Sequence, residues 1–318
     1  MRLDSVRSFK QGVSDAVVAS DDTPGGISFY EATGRPMPKQ VALGVARLKD
    51  GIDGFGLAIR TDSPELAERL KAEVSGEADV RIVTVAKRST PGYFQGTRRP
   101  LEPGLQIAME SQNFVGTLGA FVRGTDGTLC AITNSHVAAD EGRAEAGWPI
   151  GQPFGVPHQR IGVLAHFVPF SSTAPNVVDA ALVRLDKTKA VLSYTLAAPG
   201  RAVDQARPVT PDDIGAIVTK AGRTTGVRSG RITSVEIDGL SVAYDRGILR
   251  FNDQIEISGG PETDFSAPGD SGSMIVDSHG YAIALLFAGG KDSTGEDFTY
   301  ANRMTDVLRL LGVDIARP

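Results

Sequence analysis

The stretch SAPGDSGSMIV (residues 266–276) places a glycine-flanked serine directly before an apolar run. Two glycines surround Asp270 and Ser271, and residues 274–276 are typical of a buried β-strand. Such a turn is either a plain loop or a platform that presents Ser271 for chemistry. The second interpretation requires a base and an acid elsewhere in the chain, because a serine hydroxyl alone is a poor nucleophile.

The composition is that of an ordinary folded protein. The 318 residues, 41% of them hydrophobic, suffice for two or three compact domains. With 37 glycines and 18 prolines, the chain favours turns and short strands over long helices. A net charge of −5 gives no basic surface for nucleic acid. The single cysteine, Cys130, excludes an intrachain disulfide and is expected in the core of a strand.

The N-terminal string MRLDSVRSFKQGVSDAVV lacks the apolar centre of a signal peptide. No run approaches the roughly 20 apolar residues of a membrane span. We therefore predict a cytoplasmic protein that does not bind a membrane. Four scattered histidines and one cysteine form no metal-binding motif, so neither a metal nor a cofactor is expected.

Changes in composition and in predicted secondary structure divide the chain into four segments. They are an irregular lead-in (1–36), a small α+β module (37–105), a first β-barrel (106–200) and a second β-barrel with a C-terminal helix (201–318). The module has β-β-α-β order, with its helix over 63–76. It is either an inhibitory or assembly domain or a structural companion. An Asp126–Gly127 turn predicts a hairpin in the first barrel, and Gly312 is expected to end the last helix.

His136, in the string TNSHV, is the best candidate for the base because it follows the end of a predicted strand. The other three histidines are interpreted as surface or filler residues: His158, His166 and His279. Asp179 opens the apolar run DAALVRL, where a partly buried carboxylate needs a partner such as an imidazole N–H. The alternative acids are Asp140 and Asp270, whereas Asp186 is interpreted as an ordinary charge at the end of the strand.

The order His136, Asp179, Ser271 resembles the catalytic triad of the chymotrypsin/trypsin-like serine protease family. The matching strings are TNSHV, VDAALVRL and GDSGS, and KAGRTTGVRSGRI is similar to a segment of bacterial members. The lack of disulfides and the pair 134–135 (Asn-Ser) before the histidine resemble an intracellular bacterial-type branch. Within it, the chain resembles the NARROW LEAF-type trypsin-like proteins. The resemblance covers about residues 112–313.

This resemblance implies a mostly β, double β-barrel, chymotrypsin-like serine endopeptidase. His136 would be general base and acid, Asp179 its orienting group and Ser271 the nucleophile. Backbone N–H groups of Gly269 and Ser271 would form the oxyanion hole. Asp270 would be structural; in secreted relatives it pairs with a new amino terminus made by processing. The string NFVGTLGAF resembles such a mature start, although a first strand is the favoured interpretation.

The resemblance also implies where a substrate binds. Phe265 would lie at the bottom of the specificity pocket, and Leu286, Phe287 and Ala288 would form an edge that takes up a peptide as an added strand. The uncharged Phe265 implies small or apolar residues before the cleaved bond, whereas a shift to Asp264 would reverse that. The expected partner is a protein or peptide substrate, and a homo-oligomer is left open. The alternative function is a catalytically silent trypsin-fold scaffold that binds a peptide or protein partner.

Overall fold

The computed structural model describes most of the two predicted barrels and parts of the N-terminal third. The described residues are 2–19, 27–28, 37–39, 41–47, 54–61, 68, 78–84, 92–109, 114–154, 156–186, 203, 205–260 and 263–316. They form the helices α1 (Leu3–Ala19), α2 (Ser135–Ala138) and α3 (Met304–Leu311). None of these described helices is both long and apolar enough to span a membrane.

The described residues also form β-strands throughout the chain. In chain order they are β1 (Ile27–Ser28), β2 (Met37–Lys39), β3 (Val41–Arg47), β4 (Phe55–Thr61), β5 (Ala78–Thr84), β6 (Gln106–Met109), β7 (Val115–Thr117), β8 (Ala120–Gly124), β9 (Leu129–Thr133), β10 (Pro149–Gly151), β11 (Arg160–Phe167), β12 (Ala181–Leu185), β13 (Ile217–Gly222), β14 (Gly226–Asp238), β15 (Leu240–Tyr244), β16 (Gly247–Phe251), β17 (Gln254–Ser258), β18 (Met274–Asp277), β19 (Ala282–Asp292), β20 (Asp297–Arg303) and β21 (Val313–Ile315).

Six strands of the second half close into a barrel. Their order is β13-β18-β19-β20-β17-β14, and β13 pairs with β14 to close it. Ile232, Ile255, Ile257 and Ile275 belong to its core, where each is at most 1% exposed. In β17 the two core isoleucines are two residues apart, which is the period expected when one face of a strand is buried in a core.

An eight-stranded sheet curls around a second core, in the order β21-β8-β9-β12-β11-β10-β6-β7. Strands β8 and β9 form the predicted hairpin, in which Gly127 has a φ of +78° that favours glycine. Cys130 is 2% exposed within this core, which confirms the prediction of a core cysteine. Val115–Thr117 is strand β7, which confirms the favoured interpretation of NFVGTLGAF as a strand.

The strands of the N-terminal module extend the sheet of the closed barrel. β3 pairs with β4 in antiparallel and β4 with β5 in parallel, while pairings of β14 with β3 and of β19 with β5 join them to the barrel. Buried Arg60 on β4 donates two hydrogen bonds of 2.7 and 2.8 Å to Glu256 of β17. The predicted helix over 63–76 lies outside the described residues except for Glu68.

Helix α1 corrects the prediction of an irregular segment over 1–36. Val6 is fully buried in the core of the closed barrel, Arg7 pairs with Glu236, and Lys10 lies 2.8 Å from a carboxylate oxygen of Asp238. In proteins, most of the stability of a helix comes from tertiary packing of one face rather than from intrinsic propensity. Contacts with the barrel therefore stabilise α1, whose sequence pattern indicates a helix only weakly.

After the closed barrel the chain crosses back to the curled sheet. Helix α3 ends at Gly312, whose φ is +66°, as the sequence predicts. β21 then pairs with β8. The sequence assigned all of 201–318 to the second barrel, so this strand departs from that assignment. Three residues carry too little pattern to indicate the sheet they join.

Candidate active site

His136 lies in α2, the one-turn helix that follows β9. The strand ends at Thr133, and Asn134 is in an extended conformation that leads the chain into the helix. In this position, 22% of the His136 side chain is exposed. Its Nδ1 lies 2.5 Å from Oδ2 of Asp179. A carboxylate at Nδ1 favours the tautomer with its proton there, which leaves Nε2 free to act as a base.

Asp179 is fully buried, and both oxygens of its carboxylate are hydrogen-bonded. Oδ1 accepts the backbone N–H groups of Ser135 at 2.6 Å and His136 at 3.3 Å. Oδ2 accepts the hydroxyl of Tyr244 at 2.9 Å in addition to its contact with the imidazole. The N–H of Asp179 donates to Oδ1 of Asn302 at 2.9 Å. These contacts offset the cost of burial and hold the carboxylate in one orientation.

Ser271 stands in a turn between two glycines with positive φ, Gly269 at +98° and Gly272 at +93°. The turn is fastened to β7, because the Thr117 N–H donates to the Ser271 carbonyl at 2.8 Å and the Thr117 hydroxyl to the Gly269 carbonyl at 2.9 Å. On the other side, the Gly272 N–H donates to the Leu286 carbonyl at 2.8 Å. A firmly held backbone thus carries a serine that is only half-buried.

Gly116 of β7 lets the helix of His136 and the turn of Ser271 approach the same point. A Cβ at Gly116 would lie 2.4 Å from Cγ2 of Val137 and 3.0 Å from the Ser271 carbonyl oxygen. The His136 ring hydrogen-bonds to Asp179. The Ser271 hydroxyl has no hydrogen-bond partner among the residues that the structure describes. The structure therefore brings His136 and Asp179 into direct contact, with the backbone of Ser271 across Gly116 and no bond between Nε2 and Oγ.

The backbone N–H groups of Gly269 and Ser271 have no hydrogen-bond acceptor among the residues that the structure describes. Donors that a rigid turn leaves unpaired suit an oxygen that carries or develops negative charge. A side chain at position 269 would obstruct this turn, since a Cβ there would lie 2.6 Å from Oγ1 of Thr224 and 2.8 Å from Nη1 of Arg223.

Asp270 supports the serine turn through the contacts of its fully buried carboxylate. Its carboxylate lies 2.8 Å from the ammonium of Lys220, and neither side chain has exposed surface. It also accepts the N–H groups of Ala267 at 3.0 Å and Thr224 at 2.7 Å and the hydroxyl of Thr225 at 2.7 Å. Burial lowers the pKa of Lys220, and the adjacent carboxylate opposes that shift. Lys220 thus supplies the positive charge that balances the buried Asp270 carboxylate.

The segment that the sequence assigned to substrate binding is mostly buried. Phe265 has no exposed surface and packs in the core of the closed barrel, so the prediction that its side chain lines a pocket is corrected. The side chain points inward because position 265 falls on the core side of its turn, where it packs against the backbone of Gly230. Leu286 and Phe287 are 2% and 3% exposed, whereas Ala288 is half-buried.

Strand β19 nevertheless has one open edge next to the serine turn. On that edge β19 pairs with β18 up to Leu285 and with β5 from Lys291 onward. Its other edge pairs with β20. Residues 287–290 therefore have no strand partner on the first edge within the described ranges, which leaves backbone groups for an extended peptide.

The other candidates from the sequence lie apart from this site. Asp140 pairs with Arg143 at 2.7 Å, and Asp186 pairs with Arg160 at 3.2 Å. The remaining histidines are all exposed: His158, His166 and His279. Their interpretation as surface residues is confirmed.

Sequence reasoning missed three residues that contact the site: Lys220, Tyr244 and Asn302. They come from β13, β15 and β20, so tertiary structure alone brings them to Asp270 and Asp179. A lysine inside the strand-like run IVTKAG, between Thr219 and Ala221, was one available signal, because a charged residue in a buried strand needs a partner.

Comparison with solved structures finds this fold among chymotrypsin/trypsin-like serine proteases. A protease from Nocardiopsis aligns with a TM-score of 0.50 and 18% identity, over 68% of this chain and 100% of its own. Thermobifida fusca protease A aligns with a TM-score of 0.48 and 16% identity, over 69% of this chain and 100% of its own. No family model and no curated protein matches the chain. The chain therefore has the chymotrypsin-like double-barrel fold, with a closed barrel and a curled sheet.

Proposed function

We propose that this chain is a serine endopeptidase that cleaves peptide bonds through His136, Asp179 and Ser271. The observation that carries the proposal is the 2.5 Å contact between Nδ1 of His136 and the fully buried Asp179, next to the glycine-flanked turn of Ser271. The fold of its structural neighbours, which are serine proteases, supports the same reaction class at the level of the fold.

The proposed reaction has two halves. Oγ of Ser271 attacks the carbonyl carbon of the peptide bond as Nε2 of His136 takes its proton. The oxyanion of the tetrahedral intermediate accepts the N–H groups of Gly269 and Ser271. His136 returns the proton to the leaving amine, so the C–N bond breaks and an acyl-enzyme remains. Water then attacks the ester with His136 again as base, which releases the acid and restores the serine.

A substrate would bind beside the turn as an added strand. The free edge of β19 over 287–290 can exchange main-chain hydrogen bonds with an extended peptide. This supports a protein or peptide substrate. Ala288 is the residue of the predicted edge that is half-buried and so remains within reach, while Leu286 and Phe287 act through their backbones.

One observation favours the alternative of a catalytically silent scaffold. No hydrogen bond joins Nε2 of His136 to Oγ of Ser271 within the described residues. Such bonds are often long without substrate and shorten in the bound complex, so their absence does not decide between the two functions. Chemical reactivity of Ser271 does decide.

A fluorophosphonate probe provides that test, because it labels a serine only when a neighbouring base activates it. We expect the wild-type chain to be labelled at Ser271, as located by mass spectrometry of the modified peptide. Ser271→Ala should abolish labelling, and the exposed Ser278→Ala should leave it unchanged. A wild-type chain that binds peptides but never reacts would instead establish the scaffold.

Gly269→Ala should lower the labelling rate without removing the nucleophile. The new Cβ would collide with Thr224 and turn the 269 N–H away from the oxyanion, in addition to the cost of roughly 1–2 kcal/mol for a left-handed alanine. Gly295→Ala is a matched control, since Gly295 also has positive φ, at +87°, but its Cβ would meet no atom within 4 Å. Equal labelling rates for the two variants would contradict an oxyanion role for this turn.

The finer assignments from the sequence extend this proposal. A single cysteine in 318 residues supports a reducing compartment such as the cytoplasm, and hence the intracellular bacterial-type branch. We also propose that the chain divides into a module over 37–105 and two barrels, whose boundaries can be located by limited proteolysis.

A further inference from the structure

Tyr244 places a hydroxyl on the carboxylate that contacts His136. It lies at the end of β15, in the hairpin that β15 forms with β16. Its hydroxyl lies 2.9 Å from Oδ2 of Asp179, the oxygen that faces the imidazole. Its ring packs at 5.1 Å from that of Phe170, and the ring of His136 lies edge-on at 6.0 Å. The position of the hydroxyl is therefore fixed by packing as well as by hydrogen bonding.

The tip of this hairpin is clamped to the loop that follows His136. The carboxylate of Glu141 accepts the N–H groups of Asp245 at 2.8 Å and Arg246 at 3.1 Å. In return, the Arg246 guanidinium donates to the Glu141 carbonyl at 3.0 Å. Glu141 has a φ of +56°, which a residue other than glycine adopts only when its surroundings hold it there. The clamp ties the closed-barrel half to the segment that carries the imidazole.

The hydroxyl stays a donor over the working pH range. Burial and the neighbouring Asp179 raise the pKa of Tyr244 well above its usual value, so the proton remains on the phenol. Oδ2 of Asp179 thus accepts a hydrogen bond from the neutral Tyr244 hydroxyl, and the same oxygen contacts the His136 imidazole.

We propose that Tyr244 is a positioning residue that fixes Asp179 and tempers the basicity of His136. Its catalytic meaning rests on the proposed endopeptidase function, whereas the contact itself does not. The titratable and charged groups around His136 are Asp179 from the loop before β12 and Tyr244 from β15. Glu141 and Arg246, which join the hairpin tip to the loop after His136, lie beyond Tyr244. The Tyr244 hydroxyl and the His136 imidazole both contact Oδ2 of Asp179.

The direction of the effect follows from that sharing. Without the hydroxyl, Oδ2 loses a donor and its negative charge acts more fully on the imidazolium. The pKa of His136 should therefore rise in Tyr244→Phe. A hydrogen bond to a charged group corresponds to a shift of roughly one pH unit, and loss of the fixed carboxylate should slow acylation by roughly tenfold.

The decisive measurement is an NMR titration of the His136 ring in the full chain, which needs no catalytic activity. The ring signal is assigned by its disappearance in His136→Gln. Tyr244→Phe should move the midpoint to higher pH, whereas Tyr93→Phe should not. Tyr93 is a matched control because its hydroxyl also donates to a carboxylate, that of Glu102 at 2.8 Å, on an exposed part of the chain.

Three further results test this inference, and the last two separate it from the endopeptidase proposal. Glu141→Ala should shift the midpoint in the same direction by releasing the hairpin while Tyr244 is still present. An unchanged midpoint in Tyr244→Phe would overturn the inference even if fluorophosphonate labels the protein. Absence of labelling in the wild-type chain, together with a shifted midpoint, would overturn the endopeptidase function and leave the role of Tyr244 intact.

Discussion

Ser271→Ala should lower the turnover of cleaved substrates on the order of 10⁴-fold or more, as removal of a triad member does generally. The variant keeps the oxyanion N–H groups and the free edge of β19, so peptide binding and a small residual rate remain. The measurement is cleavage profiling of a whole proteome with the wild-type chain and the variant side by side. Cut sites seen with the wild type should vanish from the variant.

His136→Ala provides the internal check on this result. If the two side chains act as one unit, the double variant Ser271→Ala/His136→Ala should be no slower than either single variant. Losses that multiply would show that the residues act independently. Ser278→Ala, on the exposed turn before β19, should leave the cleavage profile unchanged.

Lys220→Met should destabilise the fold by about 3–5 kcal/mol, because it leaves Asp270 as a fully buried charge without its cation. The free energy of unfolding, measured by urea denaturation, reports this loss. The Asp270 carboxylate also accepts hydrogen bonds from the backbone next to the serine turn, at Ala267 and Thr224. Fluorophosphonate labelling of Ser271 should therefore fall together with the free energy of unfolding.

Two variants sharpen the prediction for Lys220. Lys291→Met breaks the exposed pair of Lys291 with Asp264, and this should cost less than about 1 kcal/mol. Lys220→Met/Asp270→Asn removes both buried charges and should recover much of the stability lost in Lys220→Met. A double variant that is as unstable as the sum of its single variants would contradict a coupled buried pair.

The candidate catalytic residues could be recognised in the sequence because each of them sits in a distinctive local string. His136 follows a strand, Asp179 interrupts an apolar run and Ser271 lies between glycines. In the structure His136 contacts Asp179, and the catalytic role of the three residues stays a proposal. The Asp126–Gly127 hairpin and the final helix were likewise encoded by local turn and capping signals.

The partners of these residues were not readable, because side-chain contacts between distant strands leave no local pattern. Tyr244 lies 65 positions from Asp179, and Lys220 lies 50 positions from Asp270. Phe265 illustrates a different failure, since a single position decides whether a side chain enters a pocket or a core. Helix α1 depends on contacts with the barrel, which its own sequence does not reveal.

The return of β21 to the curled sheet has a consequence for synthesis on the ribosome. Until residues 313–315 leave the exit tunnel, β8 lacks the neighbour that covers its outer edge. The half that holds His136 therefore completes its architecture only after the half that holds Ser271 has been translated. A nascent polypeptide that has not yet released residues 313–315 would therefore expose this edge of the curled sheet to pairing with other strands during elongation.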